Sequence, residues 1–225
     1  MSGGDVRLAA LYDIHGNLTA LEAVLKEVEG IGVGQIVVGG DVLPGPMPRE
    51  CLDVLRTLPV PVACIRGNGE RECLQYRRGV EEGSAVPERY RPMMRWVGQQ
   101  LRDEDVEWIE SWPLTRTVGE VLFCHATPRS DAEMFTRETP EENLVEAFEG
   151  VEAEVVVCGH THVQFDRRVG RLRVVNAGSV GMPFAGREAE WLLIEGDRLE
   201  LRKTWYDLEV AAERMRASGY PEVGG

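Results

Sequence analysis

The chain has 225 residues, a composition typical of a soluble globular protein, and a formal net charge of −13 at pH 7. This length fits one domain with a sizeable core, whereas the acidic balance excludes a general binder of nucleic acid or of anionic membranes. No apolar run reaches membrane-spanning length or resembles a secretory leader, so we expect a cytoplasmic protein.

The first third of the chain predicts alternating strands and helices. Apolar runs without helical period indicate buried strands over 6–12, 36–38 and 60–65. Between them, apolar residues at helical spacing mark two amphipathic helices: Leu18, Leu21, Leu25 and Val28, then Cys51, Leu52, Leu55 and Leu58. This order is typical of βαβ units, so we expect a largely parallel sheet.

Residues 70–112 interrupt that rhythm. A charged, glycine-containing stretch over 77–91 is followed by apolar spacing that predicts two short helices ending near Trp112. We favour an ordinary helical cover over the sheet. The alternative is a cap over 77–112 that shapes the substrate pocket, because the segment leaves directly from the loop at Asn68.

The second half of the chain predicts hairpins and therefore looks more antiparallel. Strand-like runs flank turns at 119–120, at Gly170 and at 196–197, and a further strand is predicted over 155–158. A capping box over 139–142 predicts a helix that packs Leu144, Val145 and Phe148, and a last helix is expected near Asp207. We expect a single α/β domain over 1–225, with two packed mixed β-sheets flanked by helices.

Polar side chains follow these strands at the points where they end. The chain has only four histidines, and each follows an apolar, strand-like run. On an extended segment, residues i and i+2 point the same way, so Asp13 can act with His15, and His160 with His162. In open α/β sheets, ligands bind beyond the carboxyl ends of the strands. The sequence therefore predicts a site of oxygen and imidazole ligands there, formed by Asp13, His15, Asp41, Asn68, His125, His160 and His162.

These residues lie in motifs that resemble those of the calcineurin-like metallophosphoesterases, whose signatures follow the order D-x-H, G-D, G-N-H-[DE], H and G-H-x-H. The corresponding segments here are Asp13-Ile14-His15, Gly40-Asp41, Gly67-Asn68-Gly69-Glu70, His125 and Gly159-His160-Thr161-His162. Four match, and the third has glycine in place of histidine. The surrounding DIHGN, GDVLPGP and NAGSVGMP are most similar to the small bacterial branch of phosphodiesterases and diadenosine-tetraphosphatase-like proteins. The resemblance covers most of the chain and implies a four-layer αββα sandwich.

The resemblance also implies two divalent metal ions. By position, Asp13, His15 and His162 would bind one ion, Asn68, His125 and His160 the other, and Asp41 would bridge them. Catalytic roles follow for Asp41, Asn68 and His125. The mixed oxygen and nitrogen set suits manganese, iron, nickel or zinc better than calcium, and we favour manganese. Two such ions about 3.5–4 Å apart would clamp a phosphoryl group and activate a bridging hydroxide that attacks phosphorus.

Two departures from the family pattern narrow the chemistry. The missing histidine, at Gly69, would commonly protonate the leaving group, and glycine cannot do so. The protein-phosphatase branch carries an Asp-Arg pair shortly after its G-D motif, and here those places hold Pro44 and Gly45. Together these differences argue against a protein phosphatase.

Our leading hypothesis is hydrolysis of a phosphodiester or phosphoanhydride in a small phosphorylated substrate, for example a nucleotide. The alternatives are a phosphomonoesterase, a non-catalytic metal-bound scaffold of the same fold, and a serine hydrolase with a degenerate elbow over 177–181. A lone histidine at a strand end is more often structural than a ligand, but seven matching residues weigh against that interpretation. Five scattered cysteines without CxxC spacing favour a reducing compartment. The oligomeric state and the natural substrate stay open.

Overall fold

In the computed structural model, which describes residues 7–221, ten strands form two five-stranded sheets. The strands are β1 Leu8–Leu11, β2 Gln35–Val38, β3 Val62–Cys64, β4 Thr115–Val118, β5 Val121–Cys124, β6 Val155–Cys158, β7 Phe165–Val169, β8 Leu172–Asn176, β9 Ala189–Glu195 and β10 Arg198–Thr204. The α-helices are α1 Leu18–Gly30, α2 Pro48–Arg56, α3 Asn68–Arg77, α4 Arg91–Gln100, α5 Asp103–Glu110 and α6 Leu208–Ser218. None of them has the length and hydropathy that crossing a membrane requires.

The first sheet has the order β10-β9-β1-β2-β3. Its strands β1, β2 and β3 are parallel, with Ala10 opposite Val37, and α1 and α2 form the crossovers between them. This arrangement confirms the predicted βαβ units. Strand β9 adds antiparallel to β1, and the β9–β10 hairpin closes across the predicted turn at 196–197.

The second sheet has the order β4-β5-β6-β8-β7. The hairpins β4–β5 and β7–β8 are antiparallel, as predicted, but β5, β6 and β8 pair parallel at the centre of the sheet. The expectation of a more antiparallel second half is therefore wrong for this centre. Parallel pairing joins strands that are distant along the chain, so it cannot be predicted from local turn residues.

The two sheets pack face to face, with Tyr12, Val37, Phe123, Val157 and Leu192 in the buried layer between them. On the outer face of the first sheet, helices α1 to α5 bury a second apolar core. Phe135, Leu144 and Phe148 cover the outer face of the second sheet. The predicted α/β sandwich of two mixed sheets is thus confirmed, as a single compact unit.

The layer on the second sheet corrects one expectation, because the segment after the capping box is not an α-helix. It forms two 3₁₀ turns, Glu141–Asn143 and Val145–Phe148, with Leu144 between them. The tighter turns still bury Leu144 and Phe148, while Val145 stays exposed. Each turn is three or four residues long, which is the usual limit of 3₁₀ geometry.

Residues 77–112 join the helical layer of the first sheet. The two predicted helices are α4 and α5, and Met94, Val97, Ile109 and Trp112 are buried in the outer core. Helix α3, which starts at Asn68, is an element that the sequence analysis did not predict. The cap over 77–112 stays a prediction.

Candidate metal centre

The predicted site residues lie in the loops that follow the parallel strands of both sheets. The first sheet contributes Asp13 and His15 after β1, Asp41 after β2, and Asn68 at the start of α3. The second sheet contributes His125 directly after β5, and His160 and His162 after β6. Because the strands of both sheets end at the same edge of the sandwich, these side chains converge there.

The potential ligand atoms form two groups, and within each group all of them lie within 4.8 Å of one another. The groups are Asp13 with His15 and His162, and Asp41 with His125 and His160. Two contacts connect the groups, since His125 Nε2 lies 3.8 Å from Asp13 Oδ1 and His15 Nε2 lies 3.8 Å from Asp41 Oδ2. Asn68 is flanked by two glycines, Gly67 and Gly69, that lie against Asp41 of the second group. The residue before it, Gly67, packs so closely that an added Cβ would lie 2.1 Å from Asp41 Oδ1.

The backbone of this centre is strained. Asp13, His15, Asp41, His160 and His162 have positive φ angles, between 47° and 67°, and they are the only non-glycine residues of 7–221 that do. Left-handed backbone is unfavourable for side chains with a Cβ, and it persists only where the surroundings enforce it. Its concentration in five of the seven predicted ligands is typical of a functional site.

Hydrogen bonds to main-chain carbonyls orient three of the histidines. Each Nδ1 faces a backbone carbonyl: His15 that of Pro44 at 3.2 Å, His125 that of Gly39 at 2.9 Å, and His162 that of Met182 at 2.7 Å. A carbonyl oxygen only accepts, so each Nδ1 must carry the proton. The Nε2 atom of each neutral ring then directs a lone pair into the centre, as histidines do when they ligate a metal.

The resulting lone pairs are suited to a cation. The Nε2 atoms of His15 and His162 are 3.1 Å apart, and neither carries a hydrogen in the neutral rings. Within residues 7–221, Asp13 Oδ1, Asn68 Oδ1 and His125 Nε2 are buried without a hydrogen-bond partner. Such atoms are costly to bury unless something neutralises them. The donor set therefore fits a pair of divalent cations.

The charged neighbours of the two carboxylates give them different pKa values. Burial raises the pKa of Asp41 to about 8; His125 opposes this shift, and nearby Glu70 and Asp13 add to it. Burial acts in the same direction on Asp13, but His125 and His162 lower its pKa to about 2. In the metal-free protein the centre therefore resists holding both carboxylates ionised. Cations would remove that penalty.

The four histidines also differ in pKa, which is lowered for His15 and His160 and raised for His125 and His162. Burial, together with the neighbouring imidazole of His162, lowers the pKa of His15 to about 4. Burial and His125 likewise lower the pKa of His160 to about 4. Burial also disfavours the charged forms of His125 and His162, but the adjacent carboxylates raise the pKa of both. At neutral pH, His15 and His160 are therefore uncharged and available as ligands.

Glu70 has a role that the sequence analysis did not assign. This carboxylate is 1% exposed and accepts hydrogen bonds from the backbone N–H groups of Asp41 (2.9 Å), Leu43 (3.0 Å) and Gly67 (2.7 Å). It thereby fixes the loop after β2 against the start of α3. The motif over 67–70 contains Glu70 but does not show this role, because two of its three hydrogen-bond partners lie 27 and 29 residues away.

The segment 176–181 braces the loops of the first group. Asn176 Nδ2 donates to the carbonyl of Gly159 at 2.6 Å, and Ser179 Oγ donates to the carbonyl of Asp13 at 2.7 Å. Ser179 Oγ also accepts from the N–H of Met182 at 2.8 Å. The hydroxyl of Ser179 is thus buried and occupied by main-chain groups. This environment argues against a serine nucleophile at the proposed elbow.

Gly69 is tightly enclosed. A Cβ at this position would lie 2.0 Å from the carbonyl oxygen of Leu43 and 2.9 Å from Asp41 Oδ1. The N–H of Gly69 donates to Asp41 Oδ1 at 2.7 Å. The loop that contains Leu43 therefore occupies the space into which a side chain at position 69 would have to extend, and no histidine fits there without a backbone shift.

Comparisons with known proteins agree with this geometry. The family model of the calcineurin-like phosphoesterase superfamily domain matches residues 6–198. An uncharacterised protein of Methanocaldococcus jannaschii is 25% identical, over 96% of this chain and 94% of its own length. The crystal structure of a metallophosphoesterase from Sphaerobacter thermophilus superposes with a TM-score of 0.80 at 25% identity, covering 97% of this chain and 96% of that one. A hypothetical protein from Pyrococcus horikoshii superposes at 0.79 and 20% identity, covering 96% and 95%, which shows the common fold.

Proposed function

The chain belongs to the calcineurin-like phosphoesterase superfamily, and we propose that it is a dimetal-dependent hydrolase of phosphodiesters or phosphoanhydrides. The observation that carries this proposal is the pair of ligand groups at the shared strand edge, Asp13 with His15 and His162, and Asp41 with His125 and His160. The Nε2 atoms of neutral imidazoles and the unpartnered oxygens of this centre would supply the lone pairs that two divalent cations require.

The roles of individual residues follow from their positions. Asp13, His15 and His162 would hold one ion, and Asn68, His125 and His160 the other. Asp41 has one oxygen 3.5 Å from His125 Nε2 and the other 3.8 Å from His15 Nε2, which suits a bridge. When bound, the ions would stabilise charge on the phosphoryl oxygens and acidify a nucleophilic water.

Several finer points belong to the same proposal. The oxygen and imidazole set favours manganese, with iron, nickel and zinc as alternatives. A small phosphorylated compound such as a nucleotide is the proposed substrate, because the net charge of −13 disfavours long polyanions and membranes. The five cysteines are free and buried, which supports a reducing compartment and hence the cytoplasm.

The enclosure of Gly69 favours one alternative, a non-catalytic metal-bound scaffold. Without a histidine at this position the centre lacks the usual proton donor, and the Leu43 carbonyl prevents another side chain from replacing it at the same place. The buried lone pairs weigh against the scaffold, because a protein that only binds partners has no chemical need for them. The same missing acid disfavours alkyl phosphomonoesters as substrates, since alkoxide leaving groups need a proton.

Metal-dependent turnover tests the proposal. The purified protein is stripped with a chelator, reloaded separately with manganese, iron, nickel, zinc or calcium, and assayed on an aryl phosphodiester, a dinucleoside polyphosphate and an alkyl phosphomonoester. We expect activity on the first two substrates to vanish on stripping and to return with a transition metal. Full activity in the stripped protein would contradict the proposal. Metal binding without turnover of any substrate would instead favour the scaffold.

A further inference from the structure

Three exposed apolar side chains lie beside the candidate metal centre. Phe184 is 80% exposed, Met182 is 55% exposed and Val163 is 39% exposed. Val163 follows His162 directly in the chain, and the other two belong to the loop between β8 and β9. We call these three residues the apolar rim. Single exposed apolar residues are common on protein surfaces, but three in two loops that meet at one predicted ligand mark a candidate contact surface.

The apolar rim is fixed to the metal centre by the main chain. The N–H of Phe184 donates to the carbonyl of His162 at 3.1 Å, and the carbonyl of Met182 accepts from His162 Nδ1 at 2.7 Å. One residue earlier, the N–H of Gly181 donates to the carbonyl of Asp13 at 3.0 Å. The loop therefore cannot move far without moving two predicted ligands. The main chain of Phe184 is therefore fixed beside a predicted metal ligand.

The size of the apolar rim decides between two kinds of occupant. A stable protein interface takes about 20–30 residues on each side, and three side chains are too few for that. One planar aromatic group, in contrast, is well matched to a phenylalanine ring flanked by a methionine. The main-chain bonds to His162 place the loop of the apolar rim beside a predicted ligand of the ions that would bind the phosphate. This geometry favours a substrate group over a partner protein.

We propose that Phe184, with Met182 and Val163, forms the subsite for a planar aromatic group of the substrate, a nucleobase or an aryl ring attached through the phosphate. The proposal rests on the proposed hydrolase function and names its substrate class. Stacking is tolerant of ring identity, so the subsite selects for an aromatic group without reading its hydrogen-bonding edge. The ring and the metal-bound phosphate are then recognised by separate parts of the site.

Binding and turnover together test the subsite. The metal-loaded protein is titrated calorimetrically with AMP and with ribose 5-phosphate, which share a phosphate and a sugar but differ in the base. The variants are Phe184→Ala, Phe184→Trp, and Met215→Ala as a control at an exposed methionine of α6. Turnover is measured on a dinucleoside polyphosphate, an aryl phosphodiester and inorganic tripolyphosphate, which has no ring.

We expect AMP to bind about tenfold more tightly than ribose 5-phosphate, which corresponds to one stacked base. Phe184→Ala should abolish this difference, whereas Phe184→Trp and Met215→Ala should keep it. In turnover, KM should rise for the two substrates with rings and stay constant for tripolyphosphate. A loss for only the nucleotide or only the aryl ester would still support the subsite and would identify its source of aromatic groups.

Three outcomes would overturn the proposal. Equal binding of AMP and ribose 5-phosphate, or a difference that survives Phe184→Ala, would remove the stacking argument. A change of oligomeric state in Phe184→Ala, measured by light scattering, would make the apolar rim an interface between copies. Failure of the proposed function is distinguishable from these: a protein that turns over no substrate but shows the Phe184-dependent preference for AMP would keep the subsite and lose the hydrolase.

Discussion

Asp41 is the residue on which both ligand groups depend. It is 4% exposed, its carboxylate oxygens lie near histidines of both groups, and its backbone is left-handed with a φ of 52°. A left-handed non-glycine residue costs roughly 1–3 kcal/mol and needs compensation. The main-chain bonds from Gly69 to Asp41 Oδ1 and from the Asp41 N–H to Glu70 supply part of it.

Asp41→Asn tests this dependence. Asparagine tolerates left-handed backbone and has the same shape, so the variant removes charge with little change in the loop. Removing a group that only supports a metal ligand costs about 10–100-fold, so loss of a shared ligand should lower turnover by more than about 100-fold. Metal content per chain, measured by mass spectrometry, should fall with it. Asp166→Asn is the matched control, at an exposed pair with Arg173. Retention of both ions and of turnover would contradict the bridging role.

The surroundings of Gly69 leave no room for even a Cβ atom. An added Cβ meets a backbone carbonyl at 2.0 Å, and backbone yields less readily than the end of a flexible side chain. We expect Gly69→Ala to destabilise the protein by about 1–3 kcal/mol, the usual cost of overpacking. It should also weaken metal binding. The loop that contains Leu43 also contains Asp41, so displacing the loop would move this predicted ligand. Denaturant unfolding and metal titration measure the two effects.

The control for this variant is Gly30→Ala at the last residue of α1, where an added Cβ has no heavy atom within 4 Å. Replacing a helical glycine by alanine stabilises by about 0.5–1 kcal/mol, so this variant should be at least as stable as the parent. Equal stability of Gly69→Ala and Gly30→Ala would show that the Leu43 loop moves freely, and the explanation for the excluded histidine would be lost.

Because Gly69 cannot act as a general acid, we expect the rate of hydrolysis to depend on the pKa of the leaving group. A positioned general acid contributes about 10²–10⁴-fold to esters whose leaving group needs a proton. With that acid excluded, log kcat/KM for a series of substituted aryl phosphodiesters should fall steeply as leaving-group pKa rises, and alkyl esters should be the poorest substrates. Restoring the acid by Gly69→His is not a usable test, because the carbonyl of Leu43 occupies the place of the added side chain. A flat dependence would mean that another residue already supplies the proton.

Most elements were predictable because their signals are local. The hairpin turns, the capping aspartate at α6 and the apolar faces of α1 and α2 depend on residues within a few positions of one another. Helix α3 was missed because NGERECLQYR contains few apolar residues, and much of its stability comes from contacts with α4. The parallel centre of the second sheet depends on pairings between distant segments, which local patterns do not contain.

Some features of the candidate site could likewise be predicted from the sequence, and others could not. Its seven residues could be predicted because each follows a recognisable strand in a characteristic order. The positive φ angles could not, since none of the five residues is glycine. The supporting roles of Glu70, Asn176 and Ser179 also escaped, because their hydrogen bonds connect segments that only the folded chain brings together.

The path of the segment between α3 and α4 supports the proposed cap, because it leads back toward Asn68. Helix α4 runs alongside α3 in the same direction, because Cys73 contacts Met94 and Gly98 packs against Arg77. Residues 78–90 must therefore return along α3 toward the end that carries Asn68. The 3₁₀ turn Glu88–Tyr90 completes this return immediately before α4 begins.

The cap is tested by replacing exposed charges in that turn. The double variant Glu88→Ala/Arg89→Ala should change the ranking of substrates by kcat/KM severalfold while leaving the metal content constant, because the turn contains none of the predicted metal ligands and loops beside a site commonly set specificity. The double variant Asp197→Ala/Arg198→Ala is a charge-matched control in the exposed β9–β10 turn. An identical ranking in all three proteins would identify residues 77–112 as plain structural cover.

At the scale of the whole molecule, the candidate centre connects the two sheets. Asp13, His15, Asp41 and Asn68 belong to the first sheet, whereas His125, His160 and His162 belong to the second. Apart from this edge, the sheets are held together mainly by the apolar layer between them. Bound cations would therefore join two layers that otherwise meet through nondirectional contacts, in a chain whose net charge of −13 opposes compaction.

Metal removal should consequently destabilise the entire protein. A ligand that binds only the folded state stabilises it by about 2.7 kcal/mol at a free concentration 100 times its Kd. Unfolding midpoints should therefore fall on chelation and recover with manganese, and calcium should restore less because the centre contains nitrogen ligands. Hydrogen exchange should accelerate at the loops after β1 and β2 and also after β5 and β6, while the β9–β10 turn at the opposite end changes little. In Asp41→Asn the chelator should have a much smaller effect. Faster exchange in the loops of only one sheet would show that the ions do not connect the two.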